Sequence, residues 1–179
     1  MWMAELLITM WLLLPTYIPN NVAVIVGGGP PLDRGLMLHG RRLLGDGKTI
    51  RGAVGGAVAG AIVAGGLNML QPAIEPLVGV LPQFPLLVII ALPVGAIMGD
   101  IAGSFLKRRG GYARGAAIPV LDQLDFLLGA TLLTLLVAPG WLSRTVTPTI
   151  GLFAIVLTLV LHRIANIVAF RLGLKQEPH

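Results

Sequence analysis

Apolar residues in this chain come in long runs, not in strict alternation or short patches. Five stretches, 2–18, 53–70, 85–105, 124–138 and 148–170, are almost free of charge. A helix needs about 20 mostly apolar residues to cross a bilayer. The pattern therefore predicts an all-α integral membrane protein with five transmembrane helices, and the length suits one membrane-embedded domain over 1–179. The fourth run is short, and the first carries Glu5 and Pro15. That first run has no basic n-region and no small-residue cleavage site, which argues for a span and against a removable signal. Glycines recur every fourth residue at Gly52, Gly56 and Gly60, with Ala64 continuing the ridge, and again at Gly95, Gly99 and Gly103. Small residues at this spacing let helices approach closely.

The connections between the runs differ in charge. Residues 19–51 carry Arg34, Arg41, Arg42, Lys48 and Arg51, and residues 107–123 carry Lys107, Arg108, Arg109 and Arg114. The 71–84 connection has no basic residue and 139–147 has only Arg144, while the tail adds Arg171 and Lys175. Basic loops stay on the cytoplasmic side. The N-terminus is thus expected outside, the C-terminus in the cytoplasm, and two functional loops at the cytoplasmic face of the cell membrane. A net charge of +5 fits that face, or phosphorylated substrates, and no nucleic-acid partner is expected. The absence of cysteine excludes disulfides, thiolate nucleophiles and Cys-ligated zinc.

The stretch 99–125 concentrates the chemistry. A carboxylate at membrane depth costs roughly 2.5 kcal/mol or more, so acids there normally face a polar cavity with a partner. Asp100, Ser104 and Lys107 fall at i, i+4 and i+7, on one face of the third span. Asp122 and Asp125 sit three apart where the fourth span begins. Taken singly, Asp122 could cap a helix and Asp100 could pair with Lys107 or an arginine. Taken together, carboxylates from two neighbouring helices can share a hard divalent cation such as magnesium bound to phosphates. Lys107, Arg108 and Arg109 could mark the membrane surface, yet beside three acids they also suit phosphate oxygens.

The first loop ends in Gly45-Asp46-Gly47-Lys48-Thr49-Ile50-Arg51-Gly52. A P-loop needs a glycine where this chain has Arg42, so the motif fails. What remains is a glycine-rich turn with Asp46, Lys48, Thr49 and Arg51 entering a helix N-terminus, a place suited to anions. Asn20 and Asn21 close the first run and either line a cavity or end the helix. His162, Arg163 and Asn166 lie in the cytoplasmic half of the fifth span, and Arg163 either snorkels or holds a lipid phosphate. His39 has no nearby His or Cys to share a metal.

Gly99-Asp100, Ser104-Phe105-Leu106-Lys107-Arg108-Arg109, Pro119 and Asp122-Gln123-Leu124-Asp125 together resemble the signature of the CDP-diglyceride synthetase family. That signature runs S-x-x-K-R, a spacer, then D-R-x-D. Gln123 stands where the bacterial pattern has arginine, and the His-Gly-Gly before the first aspartate is missing. The variant PxxDQLDF, Asn20-Asn21 and the first-loop PLDRG…HGRRLLGDGKTIRG are similar to the archaeal branch, the CDP-archaeol synthases. The resemblance implies transfer of CMP from CTP to 2,3-bis-O-(geranylgeranyl)-sn-glycerol 1-phosphate, with diphosphate released and Mg2+ required. Asp100, Asp122 and Asp125 match the acidic positions, and Lys107 and Arg108 match the basic pair.

The residues suit such chemistry. A phosphate monoester is already nucleophilic at neutral pH, its second pKa being about 6, so no catalytic His or Cys is needed. Asp100, Asp122 and Asp125 are expected to hold the metal, while Lys48, Arg51, Lys107 and Arg108 bind the triphosphate of CTP and the archaeal lipid phosphate. Asn20, Asn21, Asp46, Thr49, Ser104 and Arg109 complete the expected substrate-binding set. The rival is a small transporter or channel, which intramembrane acids and Gly/Pro-rich helices also suit. A permeation path should place polar groups through the whole bilayer, whereas these acids cluster at one end.

Overall fold

The computed structural model describes residues 2–112, 116, 118 and 120–171. Arg114 and Lys175 of the basic segments and Pro119 of the signature lie outside the described residues, as does the side chain of Asn166. Among the described residues six helices follow one another: α1 (Trp2–Ile25), α2 (Ile50–Val78), α3 (Leu86–Arg109), α4 (Leu121–Val137), α5 (Pro139–Thr145) and α6 (Pro148–Arg171). The loop between α1 and α2 folds into a small antiparallel hairpin, β1 (Met37–Leu38) and β2 (Arg41–Arg42).

Among the described residues, α1, α2 and α3 are long and apolar enough to cross a membrane. The short α5 and the following α6 pass the same test only as a pair, bent by 85°. The fourth apolar run forms α4, whose 17 residues span about 26 Å, slightly less than a hydrocarbon core of about 30 Å. Helices also run past the apolar stretches. α1 continues to Ile25, so Asn20 and Asn21 lie within it and do not end it. α2 begins at Ile50, capped by Thr49, whose Oγ1 accepts from Gly52 N at 3.1 Å.

The glycine ridges pack as their spacing predicts. α2 lays Gly52, Gly56 and Gly60 on α1. A methyl built on Gly52 would stand 2.7 Å from Ala23 O, and one on Gly60 would stand 3.0 Å from Pro15 O. Pro15 O has no donor four residues on, because Pro19 lacks an N–H. A glycine there allows α2 to approach that carbonyl. On the other side, α3 and α4 meet backbone to backbone: a methyl on Gly95 would lie 2.6 Å from Gly129 O, and one on Gly129 would lie 2.6 Å from Gly99 Cα.

One end of the bundle is tied by neutral donors. Asn68 brackets Phe84, accepting from its N–H and donating to its carbonyl, both at 2.8 Å. Gln71 donates to Leu81 O at 2.8 Å, and Glu75 accepts from Leu81 N at 3.0 Å. The indoles of Trp11 and Trp141 donate to Pro82 O and Gln83 O. Above this floor lies an apolar core built on Trp11, Leu67, Phe84, Val88, Leu92 and Phe126. Because neighbouring helices alternate in direction, Asn20, Lys48, Asp100 and Asp122 gather at the opposite end.

Candidate active site

That opposite end is organised by a loop residue that the sequence pattern did not single out. Asp33 is buried, and its carboxylate takes Arg42 Nη2 at 2.7 Å, Leu44 N and Gly45 N at 3.0 Å each, and Gly35 N at 3.2 Å. The Arg42 guanidinium holds the Asp33 carboxyl well below the usual carboxylate range, its backbone donors adding to the effect against the cost of burial. Asp33 in turn raises Arg42 above its ordinary value. Arg42 also reaches Asp46 at 2.8 Å, so the expected ligand Asp46 braces the loop from an exposed position. The signal lay in Asp33-Arg34-Gly35, where an aspartate two residues before glycine forms an Asx turn.

A second brace joins this loop to α3. Arg109 donates to Leu38 O at 2.7 Å and to Arg42 O at 2.9 Å, and its guanidinium covers the Phe105 ring at 5.5 Å. The side chain expected on phosphate is thus employed in clamping the hairpin to the end of α3. Gly45 and Gly47 then bring Lys48 back over the bundle. Lys48 Nζ lies 2.5 Å from Asp100 Oδ2.

Asp100, Asp122 and Asp125 line one cavity of about 150 Å³ together with Tyr17, Asn20, Asn21, Phe126 and His162. The pairing within it differs from the same-face expectation. Asp100 goes to Lys48, while Lys107 goes to Asp122, with Nζ 2.9 Å from Oδ1 and 3.0 Å from Oδ2. Asp122 also accepts from Ile118 N at 3.0 Å, so it fixes the chain entering α4 without being its N-cap, which is Val120. Asp125 accepts from Phe126 N, and Gly103 leaves room for its Oδ2, which a methyl there would strike. Aromatic rings form one wall, with Phe126 stacked on His162 at 5.8 Å and tilted against Tyr17 at 5.0 Å. Tyr17 and Phe126 were not foreseen, since an aromatic in an apolar run reads as core.

A smaller cavity of about 50 Å³ adjoins it, sharing Asn20 and Asp100 and lined also by Gly47, Lys48, Thr49 and Gly52. The two cavities therefore join the acids to the glycine-rich turn. Thr49 offers its hydroxyl to the helix N-terminus and faces this cavity. Arg51 is exposed on the first turn of α2, and Ser104 and Arg108 are partly buried on the last turns of α3.

The donor set suits a hard divalent cation: three carboxylates and the amide oxygen of Asn20, which is buried without a hydrogen-bond partner. Among the described residues no three acidic or histidine side chains converge at metal-ligand distance. Two of the three carboxylates are instead held by lysines.

Comparison with known proteins bears on what this arrangement serves. The profile of the CarS-like family, described as CDP-archaeol synthase, matches residues 2–179. A CDP-archaeol synthase of Halobacterium salinarum is 51% identical over 172 residues, covering 96% of this chain and 95% of its own. Another from Archaeoglobus fulgidus is 47% identical over 178 residues, covering 95% and 96%. A solved structure of an intramembrane enzyme for archaeal membrane lipid biosynthesis superimposes with a TM-score of 0.71 at 38% identity, over 88% of this chain and 92% of that one. With three aspartates lining one cavity, a basic loop beside them and relatives matched almost end to end, the chain belongs to the CarS-like family of CDP-archaeol synthases.

Proposed function

We infer that this protein transfers CMP from CTP to 2,3-bis-O-(geranylgeranyl)-sn-glycerol 1-phosphate, giving the CDP-activated lipid and diphosphate. Membership of the family supports the reaction class. The observation that carries the assignment to this site is the cavity that Asp100, Asp122 and Asp125 line together, with a lysine on each of two of them.

The attacking lipid phosphate supplies its own nucleophile. The protein's work is to hold two anions together and to take up charge on the departing diphosphate. Lys48 and Lys107 reach into the site from opposite sides, one from the first loop and one from α3, and turn from carboxylate to phosphate oxygens when substrates enter. Arg51 and Arg108 add positive charge beside them. The backbone N–H groups of Gly47 and Thr49, in the turn just before α2, face the triphosphate. The Asp33 and Arg109 braces hold this turn in place. Asp100, Asp122 and Asp125, with Asn20, are the residues that would hold magnesium, which when bound neutralises phosphate charge and aligns the attacking and leaving oxygens.

The same reading sets the topology. α1, α2, α3, α4 and α6 are taken as five spans, with the N-terminus outside and the active site at the cytoplasmic face of the cell membrane. The support is that Lys48, Arg42, Lys107 and Arg109 all gather at the end that holds the acids, where cytoplasmic CTP is available. A transporter or channel is not favoured, because below the site lies an uncharged core built on Phe84, Val88 and Leu92.

The test is direct. Purified protein with CTP, magnesium and the ether-lipid phosphate should release diphosphate in step with CDP-lipid. No turnover with any lipid phosphate would overturn the assignment.

A further inference from the structure

The hairpin between α1 and α2 leaves a run of apolar side chains uncovered. Every residue from Arg34 to Arg41 is exposed, and Leu36, Met37 and Leu38 stand in the middle of the run. Adjacent large apolar residues, bare on a loop outside the spans, mark an interaction surface. They do not belong to a loose loop. The chain reverses at His39-Gly40, a two-residue turn with φ of 50° and 74° that suits the twist of a hairpin. Asp33 and Arg109 then hold it at Leu44 N, Gly45 N, Leu38 O and Arg42 O. From Arg34 to Gly45 the sequence carries three arginines and no acid.

Register gives the hairpin two faces. Leu38 pairs with Arg41 and Met37 with Arg42, and the ladder continues where Leu43 N donates to Leu36 O at 2.9 Å. Side chains alternate along a strand, and cross-strand partners share a face. Leu36, Leu38, Arg41 and Leu43 therefore lie on one face, Met37 and Arg42 on the other. Arg42 turns inward to Asp33 and Asp46. Arg41 instead reaches the end of α3, where its Nη1 is 3.5 Å from Arg109 O and would stand 2.6 Å from a methyl on Gly111. The leucine face is thus inclined towards the end of α3, yet Leu36 stays 62% exposed and Leu38 39%. These two side chains project past the helix and not onto it.

The height of this face follows from α3. Between Leu86 and Leu106, both exposed, α3 rises about 30 Å at about 1.5 Å per residue, which matches a hydrocarbon core of about 30 Å. Arg109, which holds Leu38 O, lies almost one turn beyond Leu106, at the depth of lipid headgroups. We propose that the leucine face of the hairpin docks on the headgroup layer of an anionic bilayer. Leu36 and Leu38 enter the apolar edge of that layer, and Arg41 meets lipid phosphates, with Arg34 adding charge. Charge selects this partner, because the surface is apolar and cationic with no acid to repel a phosphate layer. Docking ties to lipid the same loop that carries Lys48 to Asp100. The inference depends on α3 as a span and not on the reaction assigned above, so each fails without the other.

The chain has no cysteine, so Leu36→Cys and Met37→Cys each give the whole protein a single point of attachment for an NBD fluorophore. The two positions are neighbours on opposite faces of one hairpin and differ chiefly in direction. Each protein is placed one copy per nanodisc, in phosphatidylglycerol or in phosphatidylcholine, with some of the lipid carrying a doxyl quencher near its headgroup. In the anionic discs the label at 36 should be quenched several-fold more than the label at 37, and its emission should shift to the blue. The contrast should shrink in phosphatidylcholine. Arg41→Gln should lower the ratio of docked to free hairpin about fivefold, the equivalent of about 1 kcal/mol for one basic residue at an anionic surface. Equal quenching at the two positions, a larger effect at 37, or a contrast indifferent to lipid charge and to Arg41→Gln overturns the proposal. So does shielding of 36 that needs two copies per disc, which marks a contact between copies. Thermal melts run in parallel identify a misfolded variant, and Leu38→Cys, on the same face, then takes the place of Leu36→Cys.

Discussion

Lys48 Nζ stands 2.5 Å from Asp100 Oδ2, joining the turn before α2 to the member of the acidic set that α3 carries. The lysine neutralises a carboxylate that has no other cation within ion-pair distance among the described residues. Replacing it by methionine removes a phosphate ligand and releases an acid at once. KM for CTP should rise roughly tenfold or more, as for loss of a charge-assisted contact. Mn2+ binding without nucleotide, followed by electron paramagnetic resonance, should tighten. Weaker Mn2+ binding in Lys48→Met would show that the lysine does not compete with the metal.

Asp125 is the acid with no lysine of its own among the described residues. Asp125→Asn keeps the shape and removes the charge, so kcat should fall by about a hundredfold or more with little change in thermal stability. Diphosphate release, measured beside the melting temperature, separates these. Full activity in the variant would remove Asp125 from the metal site.

The Arg109 clamp makes a structural forecast. Lysine keeps the charge but lacks the planar fork that spans Leu38 O and Arg42 O. Arg109→Lys should speed amide exchange in 36–45 by about the factor that losing one charge-assisted hydrogen bond allows, roughly 1.5–3 kcal/mol. Unchanged exchange there would mean that the Asp33 network suffices to hold the loop.

That network sets a pH response. The folded pKa of Asp33 lies below its unfolded value, so its contribution is complete above about pH 4 and is lost as pH falls through the folded value. The amides of Leu44 and Gly45, which donate to Asp33, should stay protected into acid and lose protection only below the ordinary carboxylate range. Asp33→Asn should remove this acid limb and leave the loop weaker at neutral pH. A protection profile identical to the parent's at every pH would contradict the role given to Asp33.

Two glycines separate packing from mere helix composition. A methyl at Gly129 meets the α3 backbone, whereas one at Gly65 of α2 meets nothing within 4 Å. Gly129→Ala should cost about 1–3 kcal/mol by overpacking, while Gly65→Ala should be neutral or stabilising by about 0.5–1 kcal/mol. Thermal melts in one detergent compare them. A harmless Gly129→Ala would mean that α3 and α4 separate readily.

Much of this molecule is legible along the chain, for physical reasons. Four-residue glycine spacing survives in any helix, so close packing at Gly56 and Gly99 could be foreseen, though not that α1 and α4 would be the partners. The faces of Asp100 and Asp125 follow from helical period alone. Partner choice does not: Lys107 lies two turns from Asp100 on the same face, yet chooses Asp122 on α4. Helix ends are also hidden from hydropathy, since a helix may outrun its apolar stretch. Asn20 and Asn21 look like a terminus and are instead part of α1. Lys48 reaches Asp100 only because Asp33 folds the loop back, a contact made across sequence that no local spacing encodes.

The braces on residues 81–84 have a consequence for solvent conditions. Their donors are amides and indoles, from Asn68, Gln71, Trp11, Trp141 and the backbone, so dissolved ions have little grip on them. The opposite end is held by Lys48–Asp100, Lys107–Asp122 and Arg42 with Asp33 and Asp46, and partly exposed pairs like these weaken as ionic strength rises. Brine therefore loosens the mouth of the vessel and spares its base.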